Sequence, residues 1–161
     1  MDYNRVVRDL NGRTPEAFLA RVGDRFLISE GFTERSPSRA HDFGMYLGGT
    51  WRRLTARKEI LRDGDPVGGL DVSLLQEHLL GPILGIGDPR VDARIDFIGG
   101  IRGMEALESR VDGGGYAVAF SLYPPTVGQM MAVADAGSVM PPKSTWFEPK
   151  LLSGLFVHLL E

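Results

Sequence analysis

Short apolar runs separated by glycine, proline and charged residues mark out the strands of this chain. The run at residues 116–122 is nearly all apolar, which is typical of a strand in the centre of a sheet. Gly48 and Gly49 separate two strand-like runs and predict a β-hairpin with a tight turn. In chain order, strands are predicted at residues 26–28, 45–47, 50–54, 93–98, 116–122 and 155–160.

Four other segments carry apolar residues at helical spacing. Thr14 precedes a proline and an acidic residue, an arrangement typical of a capped helix start. Asp71 is expected to cap a leucine-rich helix, and Thr126 is expected to cap another. Helices are therefore predicted at residues 14–23, 71–80, 103–111 and 126–137.

This mixed order of elements predicts an α+β fold, with one partly antiparallel sheet of about five or six strands and about four helices. We expect residues 1–161 to form a single domain, and 43% hydrophobic residues are enough for a core. The sequence has no cysteine, which excludes disulfides and thiolate chemistry. It contains no apolar signal region and no run of about 18 apolar residues that would cross a membrane, so we expect a cytoplasmic protein.

Charge is distributed unevenly along the chain. Residues 1–62 carry 12 Lys and Arg against 8 Asp and Glu, whereas residues 63–161 carry 6 against 13. The net charge of −3 argues against a nucleic-acid-binding protein. After Arg110, the sequence has no Lys or Arg except Lys143 and Lys150. Both lie in one proline-rich stretch of the acidic part.

That stretch, residues 140–150, is the best candidate for chemistry. Its prolines stiffen the backbone, so that side chains are positioned at low entropic cost. Its two lysines, with the hydroxyls of Ser144 and Thr145, suit a phosphate or carboxylate ligand. The alternative is a structural loop, in which Trp146 and Phe147 fill a gap in the core and the lysines face water. Chemistry alone leaves both interpretations open.

Histidine offers one further candidate. His41 lies in a predicted loop and is the most available base, whereas His78 and His158 lie in apolar surroundings and are expected to be packed. Three aspartates spaced by four residues begin at Asp88, but the turn and strand predicted there spread them apart. We therefore expect no metal site.

The run MPPKSTWFEPKLLSGLFVHLL at residues 140–160 resembles the closing signature of the bacterial and archaeal family known as domain of unknown function 1015 (DUF1015). Earlier blocks resemble the C-terminal half of the same family, and the resemblance covers nearly the whole chain: DYNRVVRDLNG, HDFGMYLGGTWRRL, LDVSLLQEHLLGPILGIGDPRVDARIDFIGGIRG and AVAFSLYPPTVGQMMAVADAGSVMPPKST. The resemblance implies a longer protein whose N-terminal half is similar to ParB-like free-serine kinases. We therefore expect this chain to be a C-terminal fragment.

The resemblance further implies a phosphotransferase acting on serine or a similar small metabolite, with a nucleotide (ATP or ADP) and Mg bound by the longer protein. On this interpretation the fragment is inactive alone and contributes an anion-binding loop. The implied binding residues are Lys143, Ser144, Thr145 and Lys150, joined with less weight by Asn4, Arg5 and His41.

The alternative function is a non-catalytic scaffold or dimerisation module that packs on the N-terminal half. The expected partners are that N-terminal half, a small anionic metabolite and, for the dimerisation module, a second copy of the chain. Neither nucleic acid nor a membrane is expected as a partner.

Overall fold

Six antiparallel strands form the sheet of the described part of the chain. The computed structural model describes residues 2–145. The strands are β1 (Tyr3–Val7), β2 (Phe26–Glu30), β3 (Asp42–Leu47), β4 (Thr50–Ala56), β5 (Ile95–Gly99) and β6 (Val118–Leu122). Their order in the sheet is β2-β4-β3-β6-β1-β5, and every neighbouring pair is antiparallel. The predicted α+β fold is confirmed, and within residues 2–145 its sheet is antiparallel throughout.

Helices and short helical turns connect the strands. The helices are α1 (Pro15–Gly23), α2 (Asp71–Leu75), α3 (Glu105–Asp112) and α4 (Val127–Asp135). A π-helical turn (Gln76–Leu80) continues α2, and 3-10 turns lie at Lys58–Ile60 and Gly100–Arg102. Thr14 caps α1, and Thr126 caps α4 in a capping box with Gln129. Both caps confirm the sequence prediction.

The third predicted cap is wrong. Leu70 occupies the N-cap position of α2 and makes no side-chain hydrogen bond there, while Asp71 is the first residue of the helix. The carboxylate of Asp71 instead accepts a hydrogen bond from the backbone N–H of His41. The carboxylate that the local sequence pattern assigned to the helix end therefore contacts a residue that is distant in the sequence.

Helices cover both faces of the sheet. Successive strand residues point to opposite sides, so each strand contributes side chains to both faces. On the first face, Val7, Met45 and Phe120 of the strands belong to one core cluster with Phe18 of α1 and Leu74 of α2. On the second face, Val6, Tyr46 and Ala119 of the strands belong to a core cluster with Leu107 of α3. Every residue of β6 is buried, as the apolar run at residues 116–122 predicts for a central strand.

The strand β1 is the element that the sequence pattern did not predict. It lies between β6 and β5, and four of its five residues are buried. Two of the buried residues are Asn4 and Arg5, which interrupt the apolar pattern expected of an inner strand. The strand predicted at residues 155–160 lies outside the described residues. Within residues 2–145, no helix combines the length and the apolar character needed to cross a membrane.

Candidate functional site

A groove crosses the start of α2 at one end of the sheet. Its largest part, the Arg5 pocket, has a volume of about 380 Å³. A narrow crevice of about 10 Å³ shares Val72 with this pocket. The crevice in turn shares Leu70 and Gln129 with a third concavity of about 200 Å³, the His41 pocket. We refer to these three adjoining spaces as the groove; Arg5 lines one of them and His41 lines another.

Arg5 is a buried cation without an acidic partner among residues 2–145. Only 4% of the residue is exposed. Its guanidinium donates to the carbonyl oxygens of Tyr3 and, at 3.1 Å, of Lys143. It also lies 5.5 Å from the ring centre of Phe97. Burial lowers the pKa of Arg5 to about 10. A guanidinium that is both desolvated and uncompensated attracts an anion, because an anion would offset the cost of its burial.

The loop singled out in the sequence forms part of the same pocket. Pro141 and Pro142 line its wall. Lys143 has a positive φ of 56°, and its carbonyl, as described, accepts from Arg5. The Lys143 ammonium lies 5.6 Å from the ring centre of Tyr3, the residue whose backbone carbonyl is the other acceptor of the Arg5 guanidinium. Two groups of residues that are far apart in the sequence thus meet here through the backbone.

The remaining residues implied by the resemblance have different surroundings. Ser144 is buried and Thr145 is partly exposed. Lys150, together with Trp146 and Phe147, lies outside the described residues. Asn4 is fully buried on the opposite face of β1 from Arg5, and its side-chain oxygen accepts from the backbone N–H of Leu122 at 3.0 Å. Asn4 therefore ties β1 to the end of β6 and does not line the groove.

Paired charges surround the Arg5 pocket. The guanidinium of Arg90 forms a two-pronged pair with Asp88, with N–O distances of 2.9 and 2.7 Å, and it lowers the pKa of Asp88 to about 2. Glu77 forms an ion pair of 2.6 Å with Arg62. All four side chains are partly or largely exposed and have partners. Arg5 differs from them in being buried and in having, among residues 2–145, only carbonyl oxygens as hydrogen-bond acceptors.

The other end of the groove holds a histidine and a carboxylate. Asp71 Oδ1 lies 2.9 Å from the backbone nitrogen of His41 and 3.1 Å from its Nδ1. Asp71 is only 7% exposed, whereas the His41 side chain is 39% exposed and lines the pocket. Burial raises the pKa of Asp71 to about 6, although the contacts with His41 act in the opposite direction.

Asp71 is the site residue that sequence reasoning missed. Its position at the start of a leucine-rich helix is typical of a helix cap, and that interpretation gave no reason to expect its contact with His41. One signal was available: His41 was recognised as the most available base in the sequence, and a base in a loop is commonly oriented by a carboxylate. Nothing local in the sequence indicates that the carboxylate comes from 30 residues further along.

The chemistry of the described groove suits a phosphate better than a metal ion. Among the described residues, no three His, Asp or Glu side chains converge closely enough to hold a metal. A buried guanidinium, in contrast, offers a planar set of N–H donors that matches a phosphate oxygen pair.

Comparison with solved structures finds a protein with a similar fold. The chain is similar to a mutant free serine kinase in complex with AMP, with a TM-score of 0.52 and 14% sequence identity. The alignment covers 89% of this chain and 51% of that chain, so this chain spans about half the length of the kinase. At this level of identity the similarity shows a shared fold.

Comparison with family models then gives a more particular relationship. Residues 1–73 match the model of the family described as "Protein of unknown function (DUF1015)". The resemblance stated from the sequence motifs is confirmed over these residues, which include β1 and the hairpin of β3 and β4. No curated protein matches the sequence.

Proposed function

We propose that this chain is part of a phosphotransferase acting on a small, serine-like metabolite, and that the Arg5 pocket binds a phosphate group during the reaction. The observation that carries the proposal is the buried guanidinium of Arg5, which lines a pocket of about 380 Å³ and has no acidic partner among residues 2–145. The similarity of the fold to a free serine kinase supports the class of reaction.

The surroundings of Arg5 favour an anion that is held firmly. Charge-assisted hydrogen bonds from a guanidinium strengthen when water is excluded. The carbonyls of Tyr3 and Lys143 orient the group, so little freedom remains to be lost on binding. The side-chain amide of Gln76 lines the pocket and is fixed by donating to the carbonyl of Ile86 at 2.7 Å. The pocket is preorganised before a ligand arrives.

Phosphoryl transfer relies on positioning and charge stabilisation more than on covalent chemistry. In this proposal the loop residues Lys143, Ser144 and Thr145 add a cationic and hydroxyl-bearing segment beside the pocket. Lys150, which lies outside the described residues, belongs to the same proposed anion-binding set. The nucleotide, with its Mg, binds between this chain and the N-terminal half of a longer protein. The length of the similar kinase, about twice the aligned region, supports such a second half.

Isothermal titration of the chain with inorganic phosphate, phosphoserine, AMP, ADP and ATP tests the proposal. We expect at least one of them to bind, and we expect Arg5→Met to weaken that binding by about tenfold or more, since a charged hydrogen-bond partner is lost. The ligand that binds distinguishes a nucleotide phosphate from a metabolite phosphate. Arg90→Met is the matched control, because Arg90 lines the same pocket but is paired with Asp88.

Two results of this titration would contradict the proposal. Equal affinity of wild type and Arg5→Met, with both proteins folded by circular dichroism, would show that the guanidinium does not bind the ligand. Absence of heat with all five compounds would show that the chain has no phosphate-binding site. Arg5→Lys completes the series, because it keeps the positive charge but loses the planar donor set.

A second function, a scaffold that packs on the N-terminal half, is favoured by one observation. The helix α4 buries only Val133, while Val127 and Met131, one turn apart, are 67% and 60% exposed. An apolar helix face of this kind fits a helix or sheet of the other half. Val127→Lys with Met131→Lys tests it: the two halves, expressed separately and mixed, should associate with wild-type α4 and fail to associate with the double variant.

A further inference from the structure

We propose that His41 and Asp71 form a proton-accepting dyad, in which Nε2 of His41 takes the proton from a substrate hydroxyl bound in the His41 pocket. This inference rests on the proposed function, because a hydroxyl group is the nucleophile when a phosphoryl group passes to a serine-like metabolite. His41 is the catalytic residue of the pair, and Asp71 is a positioning residue that acts through it.

The hydrogen-bond geometry determines which ring nitrogen is basic. Asp71 Oδ1 is reached by the backbone N–H of His41 at 2.9 Å and by Nδ1 at 3.1 Å. A carboxylate oxygen accepts hydrogen bonds, so the Nδ1 that faces it carries the proton in the neutral ring. Nε2 is then the nitrogen with the free electron pair. This is the arrangement in which a carboxylate orients an imidazole to act as a base.

Burial separates the two ends of the dyad. The Asp71 carboxylate is almost fully enclosed, whereas part of the imidazole is exposed to the pocket. Since Nδ1 faces the enclosed carboxylate, the exposed edge of the ring is the one that carries Nε2. A ligand in the pocket therefore meets the basic atom, and Asp71 stays shielded behind it.

The backbone at His41 is also held in an unusual conformation. Its φ is +69°, in the left-handed region that a non-glycine residue seldom occupies. The two contacts to Asp71 hold this conformation at the last residue before β3. Backbone strain that is fixed by surrounding contacts clusters at functional sites. A flexible loop would leave the ring free to turn away from the pocket.

The position of the dyad in the groove completes the argument. The crevice that links the Arg5 pocket and the His41 pocket shares residues with both. The proposed reaction requires a nucleoside polyphosphate held at Arg5 to place its terminal phosphorus next to the hydroxyl of an acceptor held at His41. The hydroxyl oxygen bonds to phosphorus and its proton passes to Nε2. The bond from phosphorus to the bridging oxygen breaks, and its electron pair leaves with the nucleotide.

A purely structural role for the same contacts is the competing explanation. In that case Asp71 only fastens the loop before β3 to the start of α2, and Nε2 has no chemistry. The two explanations differ in the state and accessibility of Nε2. Both properties can be measured on this chain without a known substrate.

The first experiment determines the tautomer of His41 by long-range 1H–15N NMR of the 15N-labelled chain at neutral pH. We expect the Nδ1–H tautomer for His41. Diethyl pyrocarbonate, which modifies unprotonated and accessible imidazole nitrogens, should modify His41 faster than His78 by about tenfold or more, because the more exposed unprotonated nitrogen reacts first. His78 is the internal control, since its Nε2 is buried. An Nε2–H tautomer or an unreactive His41 overturns the dyad.

The second experiment measures phosphoryl transfer from ADP or ATP to L-serine by the longer protein, which contains this chain and the N-terminal half. We expect His41→Gln to lower kcat by about 100-fold with little change in KM, in line with loss of a general base. Asp71→Asn, which keeps an acceptor for the backbone N–H, should also lower kcat. If Asp71 only fastened the loop before β3 to α2, Asp71→Asn would leave kcat unchanged. His78→Gln is the matched control and should retain wild-type kcat.

These outcomes separate the two proposals. Retention of kcat within about twofold by a folded His41→Gln overturns the dyad while the phosphotransferase stands, because a general base contributes far more than that. Absence of transfer by the wild-type longer protein with either nucleotide counts against the proposed function. The tautomer and the modification rate then decide on the dyad by themselves.

Discussion

The guanidinium of Arg5 donates a hydrogen bond to the carbonyl oxygen of Lys143, 3.1 Å away in space and 138 residues away in sequence. This contact joins the first strand of the sheet to the proline-rich loop after α4. It also explains how a stiff loop that carries two lysines becomes part of a pocket whose buried charge comes from elsewhere. The loop and the guanidinium form one unit.

We expect Arg5→Met to loosen this loop. Loss of one hydrogen bond from a charged donor costs roughly 1.5 kcal/mol, which corresponds to about tenfold faster amide exchange where the loop opens locally. Hydrogen exchange of peptides covering residues 141–145 measures the effect. Arg90→Met should leave exchange in this segment unchanged, and equal exchange in wild type and Arg5→Met would show that the contact does not hold the loop.

The stability of the protein should depend on pH through Asp71. Burial raises its pKa to about 6 in the folded chain, above the ordinary value of 3.8, so the folded state binds this proton more tightly than the unfolded state does. The corresponding stabilisation is fully present below the unfolded pKa and is lost as the pH rises towards 6. Urea unfolding across this range should therefore show wild type losing stability relative to Asp71→Asn. Parallel stability curves for the two proteins would contradict the prediction.

Gly44 is required by packing in the centre of the sheet. A Cβ at this position would lie 2.2 Å from Ser121 Oγ and 2.5 Å from the carbonyl oxygen of Arg35, which the Ser121 hydroxyl contacts at 2.5 Å. Gly44→Ala should lower the free energy of unfolding by about 1–3 kcal/mol, the usual cost of overpacking. Gly23→Ala is the matched control, because a Cβ there meets nothing within 4 Å. Equal midpoints of urea unfolding for the two variants would show that the sheet yields at Gly44.

Trp51 and Glu108 connect the sheet to α3. The indole Nε1–H of Trp51 donates to Glu108 Oε1 at 2.7 Å, and Arg35 reaches the same oxygen at 3.3 Å. Trp51→Phe, Glu108→Gln and the double variant form a cycle in which we expect a coupling energy of about 1 kcal/mol. Chemical denaturation measures each variant. Strictly additive effects would mean that the hydrogen bond contributes nothing to holding α3 on the sheet.

The sequence by itself determined the elements whose signals are local. Thr14 and Thr126 cap helices because a hydroxyl at that position satisfies backbone N–H groups one turn ahead. Gly48 and Gly49 form the tight turn between β3 and β4 because both adopt positive φ. A nearly all-apolar run predicted the central strand β6, since both faces of such a strand are covered. Each signal lies within a few residues of the element that it predicts.

Only the tertiary structure decided where the buried polar residues lie. The strand β1 was not predicted because it buries the polar side chains of Asn4 and Arg5 and so lacks the apolar pattern by which inner strands are recognised. Asp71 has the local sequence signature of a helix cap, yet its carboxylate accepts from the backbone N–H of His41 and faces the Nδ1 of the same residue. The contacts of Arg5 and Asp71 join segments far apart in the chain, and such pairings follow from how the sheet and helices assemble, which no short sequence window contains.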